Sequence, residues 1–225
     1  MTAKEKRLLG ALALGAVAAF TVAGCTGLGV QTSTVHDGQP ITQPVTAIRL
    51  DMAVGEVHVR VEPGAPTSFR RDLTYHVKNP GPTHRVENGT LVLAGCGGDC
   101  GVNYDVVVGA DLPILGHLGT GKVTVEGAAK VELNHEVGDT TVLRVDGPVQ
   151  VTTATGNVEI GLAKPDNVRA DLQVGELTVT VPKASYQVNP KAGTGQANVD
   201  FASDPAAPHH LDLTTGTGKI TVHGA

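Results

Sequence analysis

The feature that most constrains the fold is a glycine that recurs in front of short runs of alternating apolar residues. Six clear copies are Gly55-Glu56-Val57, Gly89-Thr90-Leu91, Gly121-Lys122-Val123, Gly156-Asn157-Val158, Gly175-Glu176-Leu177 and Gly218-Lys219-Ile220, and weaker copies begin at Gly138 and Gly195. The intervals between these glycines are 34, 32, 17, 18, 19, 20 and 23 residues. Because the first two are close to twice the later ones, one period of about 17 to 23 residues covers the repeat. Repetition at this scale is typical of solenoid proteins.

Alternation of apolar and polar residues after these glycines predicts short β-strands. It is clearest at residues 57–61, 91–93, 106–108, 123–125 and 177–181, and no helical stripe occurs after residue 24. Two or three short strands with glycine corners in about 19 residues match one coil of a parallel β-helix, and about nine coils fit the chain. Glycine is required at the corners because the chain turns there with φ > 0. The alternative is a β-sandwich, which also has many short strands at regular spacing.

Residues 1–24 are typical of an export signal. Three cations precede an uncharged run of 15 residues at positions 8–22, which is too short for a comfortable membrane span. The run ends in Val22-Ala23-Gly24-Cys25, and these four residues resemble a bacterial lipobox. The resemblance implies that Cys25 receives a diacylglyceryl group and becomes the first residue of the mature protein. The alternative is an ordinary secretory signal followed by an incidental cysteine.

The remaining chain divides into two parts. Residues 25–44 comprise the lipidated cysteine and a polar stretch without periodicity, which predicts a flexible tether. Residues 45–225 form the predicted β-solenoid domain. We therefore expect an exported protein, outside the cytoplasm, whose membrane contact is a lipid anchor in the bacterial cell membrane.

The charge balance argues against a nucleic-acid partner. The chain has 17 basic and 22 acidic residues, and the leader removes three basic residues and one acidic residue, which leaves 14 against 21 and a net charge of −7. Tryptophan is absent, and aromatic residues make up 3% of the chain. Nucleic-acid binding needs clustered cations to replace counterions and aromatic faces on which bases stack.

Two cysteines remain after Cys25. Cys96 and Cys100 lie in a glycine-rich stretch at residues 95–101, and an exported protein meets oxidising conditions, so a Cys96–Cys100 disulfide is the expected state. A zinc site would need further ligands, and His84 is the only imidazole close in sequence. A redox-active pair is the other alternative, although the spacing is CxxxC and no helix start follows it.

The repeat also carries a family resemblance. The form Thr-Gly-x-[Val/Ile]-x-[Val/Ile] occurs at residues 120–125, 155–160 and 217–222, after the lipobox. In this combination the chain resembles the bacterial β-strand-repeat lipoproteins known as "putative adhesins". The resemblance implies a right-handed parallel β-helix on the cell envelope, with no known catalytic residues to transfer.

Candidate sites are few. The only adjacent histidines, His209 and His210, follow a loop and could hold a metal with help from elsewhere, although surface histidines are the simpler interpretation. Stacked coils could align two carboxylate sets: one comprises Glu126, Asp146 and Glu159, and the other comprises Asp139, Asn157 and Glu176, which follow corner glycines and could form a polar ladder. Histidines 58, 76, 117, 135 and 223 are expected mostly to face solvent. Motifs for a nucleophile or a phosphate loop are absent from the sequence. We predict no catalytic residue, cofactor or metal.

These observations favour a structural or adhesive envelope protein that binds another envelope protein or a glycan and is not an enzyme. Two alternatives are a sensor of envelope stress that reports to a membrane partner, and a carbohydrate-active β-helix enzyme. The last strand, at residues 220–222, lies three residues before the end of the sequence. An uncovered last coil exposes a strand edge, so we also expect weak end-to-end self-association there.

Overall fold

The computed structural model of the protein describes residues 32–98 and 100–225. Its strands are β1 (Ser33–Pro40), β2 (Ala47–Val61), β3 (Ser68–Tyr75), β4 (His84–Glu87), β5 (Thr90–Ala94), β6 (Cys100–Val108), β7 (Pro113–Ala128), β8 (Lys130–Val137), β9 (Thr140–Val145), β10 (Val149–Thr155), β11 (Val158–Leu162), β12 (Val168–Val174), β13 (Leu177–Val181), β14 (Tyr186–Val199) and β15 (His209–Gly224). Among the described residues, no helix is long and apolar enough to cross a membrane. The all-β prediction is confirmed. The export signal, Cys25 and residues 26–31 of the predicted tether lie outside the described residues.

The strands belong to one sheet that contains two parallel stacks, which we call the first and second ladders. The first ladder runs in space through β5, β2, β7, β8, β10, β12, β15 and β14. The second runs through β6, β2, β7, β9, β11, β13, β15 and β14. The long strands β2, β7, β14 and β15 contribute to both ladders. Each ladder thus has eight segments, against about nine expected coils.

Parallel pairing dominates the sheet. Because β7 pairs with both β8 and β9, and β15 with both β12 and β13, these strands close a ring of hydrogen-bonded neighbours. Among the described strands, the antiparallel pairs are β1 with β3, β3 with β6, and β4 with β5. This pattern departs from the alternative β-sandwich, whose sheets are antiparallel.

The core lies between the two ladders and follows the predicted alternation. In β10, for example, Val149, Val151 and Thr153 are buried, whereas Gln150 and Thr152 are exposed. All five segments predicted as strands from alternation fall within strands of the structure. The buried side chains form one cluster dominated by valine, leucine and isoleucine, and each such side chain contributes roughly 1.5–3 kcal/mol when it leaves water.

A line of glycines forms the corner between the ladders. These residues, which we call the glycine spine, are in spatial order Gly55, Gly121, Gly138, Gly156, Gly175, Gly218 and Gly195, and their φ angles lie between +131° and +149°. We call each successive position along the two ladders a level. Each spine glycine packs against the backbone of the preceding level: a Cβ on Gly121 would lie 1.7 Å from the Gly55 carbonyl oxygen, and a Cβ on Gly156 would lie 2.0 Å from the Gly138 carbonyl oxygen. No side chain fits in this space, so the predicted need for glycine at the corners is confirmed.

Gly89 is the exception among the predicted corners. Asn88 and Gly89, with φ angles of 48° and 78°, form the tight turn between β4 and β5. The two long intervals on either side of Gly89 are therefore not double periods, and that interpretation is wrong. Residues 62–112 instead contain β3 to β6, of which β5 and β6 stack on the outer side of β2 while β7 stacks on its inner side.

The order of strands is also inverted at the other end. β15 lies between β12 and β13 on one side and β14 on the other, so the last strand in the sequence is not the last in space. The expected open edge at residues 220–222 is therefore wrong, because β14 covers it. The outer edge belongs to β14, which carries Pro190 and Lys191. Both residue types are common protection against edge-to-edge pairing.

The predicted tether is too long. Residues 33–40 form β1, which pairs antiparallel with β3 from Ser33 opposite Tyr75 to Pro40 opposite Ser68. The prediction of a flexible stretch is wrong here because this segment forms backbone hydrogen bonds with β3. The residues of the segment itself give no sign of this pairing. Seven of the eight residues of β1 are exposed, so this strand is held mainly by backbone pairing and by the polar contacts described below.

Candidate binding groove

A concavity of about 640 Å³ lies on the outward side of the second ladder, where β3 joins it. We call it the charged groove, and it is lined by Glu56, Val57, His58, Arg70, Asp72, Asn103, Tyr104, Asp105, Lys122, Thr124 and Glu126. It therefore combines side chains from four neighbouring strands, β3, β6, β2 and β7. Charged and polar groups supply most of its lining.

Strand alternation points these side chains outward. In β2, Val57 and Val59 are buried in the core, so Glu56, His58 and Arg60 face the opposite way. The register then sets their neighbours: His58 lies opposite Asp105 of β6 and Thr124 of β7. In the antiparallel pair of β3 and β6, Arg70 lies opposite Asp105.

Most carboxylates of the groove are paired. Arg60 Nη1 donates to Asp105 Oδ1 at 2.9 Å, and Arg60 Nε donates to Glu62 at 2.9 Å. The hydrogen bond to Glu62 and the charge of Asp105 raise the pKa of Arg60. Glu126 lies 3.4 Å from His58 Nε2 and 3.5 Å from Arg144 Nη2. These pairs are partly exposed, so each contributes little to stability.

Three charged side chains of the groove remain available. Arg70, Lys122 and Glu56 form no ion pair with other described residues. Arg70 and Lys122 stand on different strands of the lining, so two donors are free to meet an anionic or hydroxyl-rich group. The aromatic ring of Tyr104 is buried and offers no stacking face. The groove suits hydrogen bonding and charge recognition of a polar ligand.

The polar side chains that follow the glycine spine form a ladder of hydrogen bonds, as expected. Asp139 Oδ1 accepts a hydrogen bond from the backbone N–H of Asn157 at 2.9 Å, and Asn157 Oδ1 accepts one from that of Glu176 at 3.1 Å. The same contact recurs beside the groove, where Asn103 Oδ1 accepts from the Glu56 N–H at 2.9 Å. Each side chain thus satisfies a backbone donor of the next level, which gives these residues a structural role.

The other carboxylate set does not converge. Glu126 lies opposite Leu143, whereas Glu159 lies opposite Thr141, so the two occupy different rows of the second ladder. Asp146 lies in the turn after β9 and accepts a hydrogen bond from Lys164 Nζ at 2.5 Å, which raises the lysine pKa. The register gives no support to a catalytic pair built from these residues.

The cysteines behave as predicted where the structure describes them. Cys96 and Cys100 form a disulfide with a Cα–Cα distance of 5.9 Å. Cys100 begins β6 and lies opposite Tyr75 of β3. Cys25 lies outside the described residues, so its lipidation stays a prediction.

The histidines divide into exposed and buried groups. The backbone N–H of His210 donates to Asn167 Oδ1 at 2.8 Å, and the centroids of the His209 and Tyr186 rings lie 5.7 Å apart. No group of three or more His, Cys, Asp or Glu side chains in residues 32–98 and 100–225 is arranged to hold a metal.

His135 is the exception among the five strand histidines, most of which were expected to face solvent. It is 1% exposed, and its Nδ1 lies 2.8 Å from Thr140 Oγ1. Burial lowers the pKa of His135, against the opposing effect of hydrogen bonds to the backbone of Val137 and Gly121. Its position follows from alternation, because His135 continues the buried series of Val131 and Leu133.

A buried polar network at the N-terminal end was not anticipated from the sequence. Arg71 is 6% exposed; its Nε donates to Asp37 Oδ1 at 2.8 Å, and its Nη1 donates to the Gly81 carbonyl at 2.8 Å and to Thr83 Oγ1 at 3.0 Å. The Tyr104 hydroxyl donates to the Thr83 carbonyl at 2.7 Å.

The network shifts two pKa values in opposite directions. The hydrogen bond from Arg71 lowers the pKa of Asp37, whereas burial raises the pKa of Tyr104 to about 12. The network joins β1 to β3 and to the segment before β4. No sequence motif predicts this network, because it forms only where β1 lies beside β3.

Comparison with known proteins supports the fold. No protein-family model matches the sequence, and no curated protein matches it. A crystal structure of a "putative cell adhesion protein" from Clostridium sporogenes matches 86% of this chain and 100% of its own chain, with a TM-score of 0.52 and 14% identity. A "putative adhesin" from Bacteroides fragilis is 12% identical over 86% of this chain and 97% of its own, with a TM-score of 0.39. The Clostridium protein shares the overall fold.

Proposed function

We propose that this chain is a lipid-anchored protein of the bacterial cell envelope with a structural or adhesive role, and that it acts by binding rather than by catalysis. Its body is a parallel β-helix. Two in-register ladders, a shared line of corner glycines and a core between the ladders support this architecture. Such a body offers long, regular strand faces, which suit recognition of extended partners.

The observation that carries the proposal is the charged groove. Its outward side chains come from four strands of a regular sheet, and Arg70 and Lys122 are unpaired among the described residues. The strands fix the backbone spacing of these side chains, so the groove presents them to a polar ligand in a regular array. Because its lining also carries four carboxylates, a neutral, hydroxyl-rich envelope glycan, or a segment of an envelope protein with charges of both signs, has the matching chemistry.

The anchor and the location belong to the same proposal. The lipobox resemblance places a diacylglyceryl group on Cys25, and two acyl chains are what stable membrane attachment requires. The Clostridium sporogenes structure that shares the fold is named as a "putative cell adhesion protein", which is compatible with a surface role. A disulfide at Cys96 and Cys100 is compatible with an oxidising compartment outside the cytoplasm.

Weak end-to-end association is assigned to the outer edge of β14. This edge is the last in the stack, and Pro190 and Lys191 limit pairing without covering it. Sedimentation velocity over a wide concentration range tests it. A protein that stays strictly monomeric at the highest concentration contradicts the association.

The binding proposal is tested by cross-linking in native cells, followed by pull-down and mass spectrometry of proteins and glycans. The wild type is compared with Cys25→Ala and with a groove double variant, Arg70→Glu with Lys122→Glu. The control is Lys130→Glu with Lys183→Glu, which makes the same charge change at exposed lysines outside the groove.

A partner retained by the wild type and the control but lost from the groove variant supports the proposal. A partner retained equally by the wild type, the groove variant and the control refutes the role of the groove. Turnover of a cell-wall polysaccharide by the purified protein would refute the non-enzymatic role.

A further inference from the structure

The large hydrophobic side chains with the greatest exposure share one edge of the described unit. They are Val54 at 48%, Val137 at 46%, Val174 at 48% and Val77 at 88% exposed. Single exposed valines are ordinary on a protein surface. The alignment of several exposed valines along one edge is unusual, and it follows from the register of the ladders.

Three of the four belong to a continuous row. The residue before each glycine of the spine lies opposite its counterpart in the next level, which gives the row Val54, Thr120, Val137, Thr155, Val174, Thr217 and Thr194. We call this row the valine–threonine ridge. Every member is β-branched and exposed. At about 4.8 Å per level, the ridge extends roughly 30 Å.

The level formed by β5 and β6 has its disulfide loop at the same corner. The Gly95 N–H donates to the Asp51 carbonyl at 2.9 Å, which holds the end of β5 beside β2 just before the corner. Val102 of β6 lies against Gly55, just after the corner. Gly95 and Val102, which flank the Cys96–Cys100 disulfide, therefore lie on either side of the corner.

The chain also enters the fold at this edge. Ser33 of β1 lies opposite Tyr75 of β3, and Tyr75 lies opposite Cys100. Thr32 Oγ1 lies 3.4 Å from His76 Nδ1, so the start of β1 stands beside the loop that carries Val77. Seven residues, 26–32, separate Cys25 from β1, and seven residues reach at most about 25 Å when fully extended.

We propose that the edge formed by the valine–threonine ridge and Val77 rests on the headgroup surface of the lipid bilayer. This inference relies on the lipid anchor proposed above, because the anchor holds the edge near the membrane. A few half-exposed valines bind a bilayer too weakly alone, but attachment at Cys25 turns their contact into an intramolecular event. The edge thus sets the orientation of the protein, while the lipid sets its affinity.

The charges beside the ridge shape this contact. The row after the glycine spine contains the carboxylates Glu56, Asp139 and Glu176 and the cations Lys122 and Lys219. Because both signs are present, the contact is shallow and does not depend on anionic lipids. Glu56 and Lys122 also line the charged groove, so its corner end lies next to the bilayer. The groove continues along the second-ladder strands to Asp105 and Glu126, and that end stays open to a ligand.

The test uses the absence of tryptophan from the sequence. Val137→Trp and Val174→Trp each place a single tryptophan on the ridge. Ala163→Trp places one at an exposed turn at the opposite end of the second-ladder strands. Each full-length lipidated protein is mixed with phosphatidylcholine–phosphatidylglycerol vesicles, with and without acyl chains that are brominated next to the headgroup, where they quench a tryptophan in a shallow contact. Vesicle flotation and tryptophan fluorescence are measured on the same sample, and thermal melting verifies that each variant is folded.

We expect both ridge tryptophans to shift to shorter wavelength and to lose fluorescence in brominated vesicles, while the tryptophan at position 163 does neither. Flotation without selective quenching of the ridge positions overturns the edge inference and leaves the lipid anchor intact. A blue shift without quenching also overturns it, since that result indicates a protein contact. Failure of the wild type to float, with no difference from Cys25→Ala, refutes the anchor and the edge inference together.

Discussion

The middle of the sheet and its N-terminal end are stabilised in different ways. From β7 to β13, each level repeats the same corner, in which a spine glycine packs against the backbone of the preceding level. At the N-terminal end, β1, β3 and β4 pair antiparallel and lack this corner. There a single buried arginine, Arg71, joins three segments through directed hydrogen bonds.

The difference shows how much sequence each mode of stabilisation requires. The repeated corner tolerates almost any outward residue but no side chain at the glycine, so its requirement is steric and local. The N-terminal end tolerates ordinary backbone geometry but depends on particular polar partners. Substitutions at the two regions should therefore differ in size and in how far their effects spread.

The largest effect is expected from Gly156→Ala in the spine. The new Cβ would lie 2.0 Å from the Gly138 carbonyl oxygen, and the φ of +144° disfavours any side chain. Strain and overpacking together should lower the free energy of unfolding by about 4 kcal/mol. The control is Gly64→Ala, at a φ of +78° with no atom within 4 Å of the new Cβ, which should cost about 1 kcal/mol. Equal losses in urea unfolding would show that the collision between levels does not matter.

A smaller and more local effect is expected from Arg71→Met. The variant leaves Asp37 and Thr83 without their donor, and the loss should be about 2 kcal/mol because Asp37 is itself partly exposed. Amide hydrogen exchange should accelerate in residues 33–40 and remain unchanged in β10. The neighbouring Arg70→Met, at an exposed site, should alter stability by no more than about 0.5 kcal/mol. Faster exchange throughout the sheet would contradict a local role.

Acidification should lower stability in two steps, of which only the second is confined to the N-terminal end. Burial lowers the pKa of His135 in the middle of the sheet and the pKa of His84 in β4 from 6.5, so the unfolded chain takes up protons before the folded one and stability falls as the pH decreases through about 6.5. The pKa of Asp37 is lowered from 3.8 by Arg71, so its contribution is present above that pH and is lost below it. Urea midpoints between pH 7.5 and 3 should show that His135→Leu reduces the first decline, that adding His84→Leu removes the rest of it, and that Asp37→Asn removes the second decline. A first decline that persists in the double variant would assign it to other groups.

The strands and corners were predictable because both follow from short-range rules. Alternation located segments such as 57–61 and 177–181. It also accounts for the burial of His135, because this residue continues the series of every second residue that begins with Val131 and Leu133. Glycine before each strand marked the positive φ of the corner. These features depend on one or two residues and their immediate neighbours.

The strand order and the charged groove were not predictable from the sequence. The strands of the ladders share the same alternation of apolar and polar residues. The sequence of β2 therefore does not reveal that its neighbours in the sheet are β6 and β7. The groove depends on this order, because Arg70, Asp105, His58 and Lys122 meet only where β3, β6, β2 and β7 lie side by side. β1 was assigned to the tether because its polar residues form a strand only through β3.

The inverted strand order also determines when each part of the sheet can form during synthesis. β2 is complete at residue 61, but its parallel neighbours β6 and β7 end at residues 108 and 128. The levels from β8 to β13, by contrast, can add in the order in which they are made. At the far end, β14 is made before β15 yet must leave the place beside β12 and β13 free for it. A nascent chain that stacked each strand as it appeared would trap β14 one position too early, so correct folding requires the last strand to arrive before that end of the sheet closes.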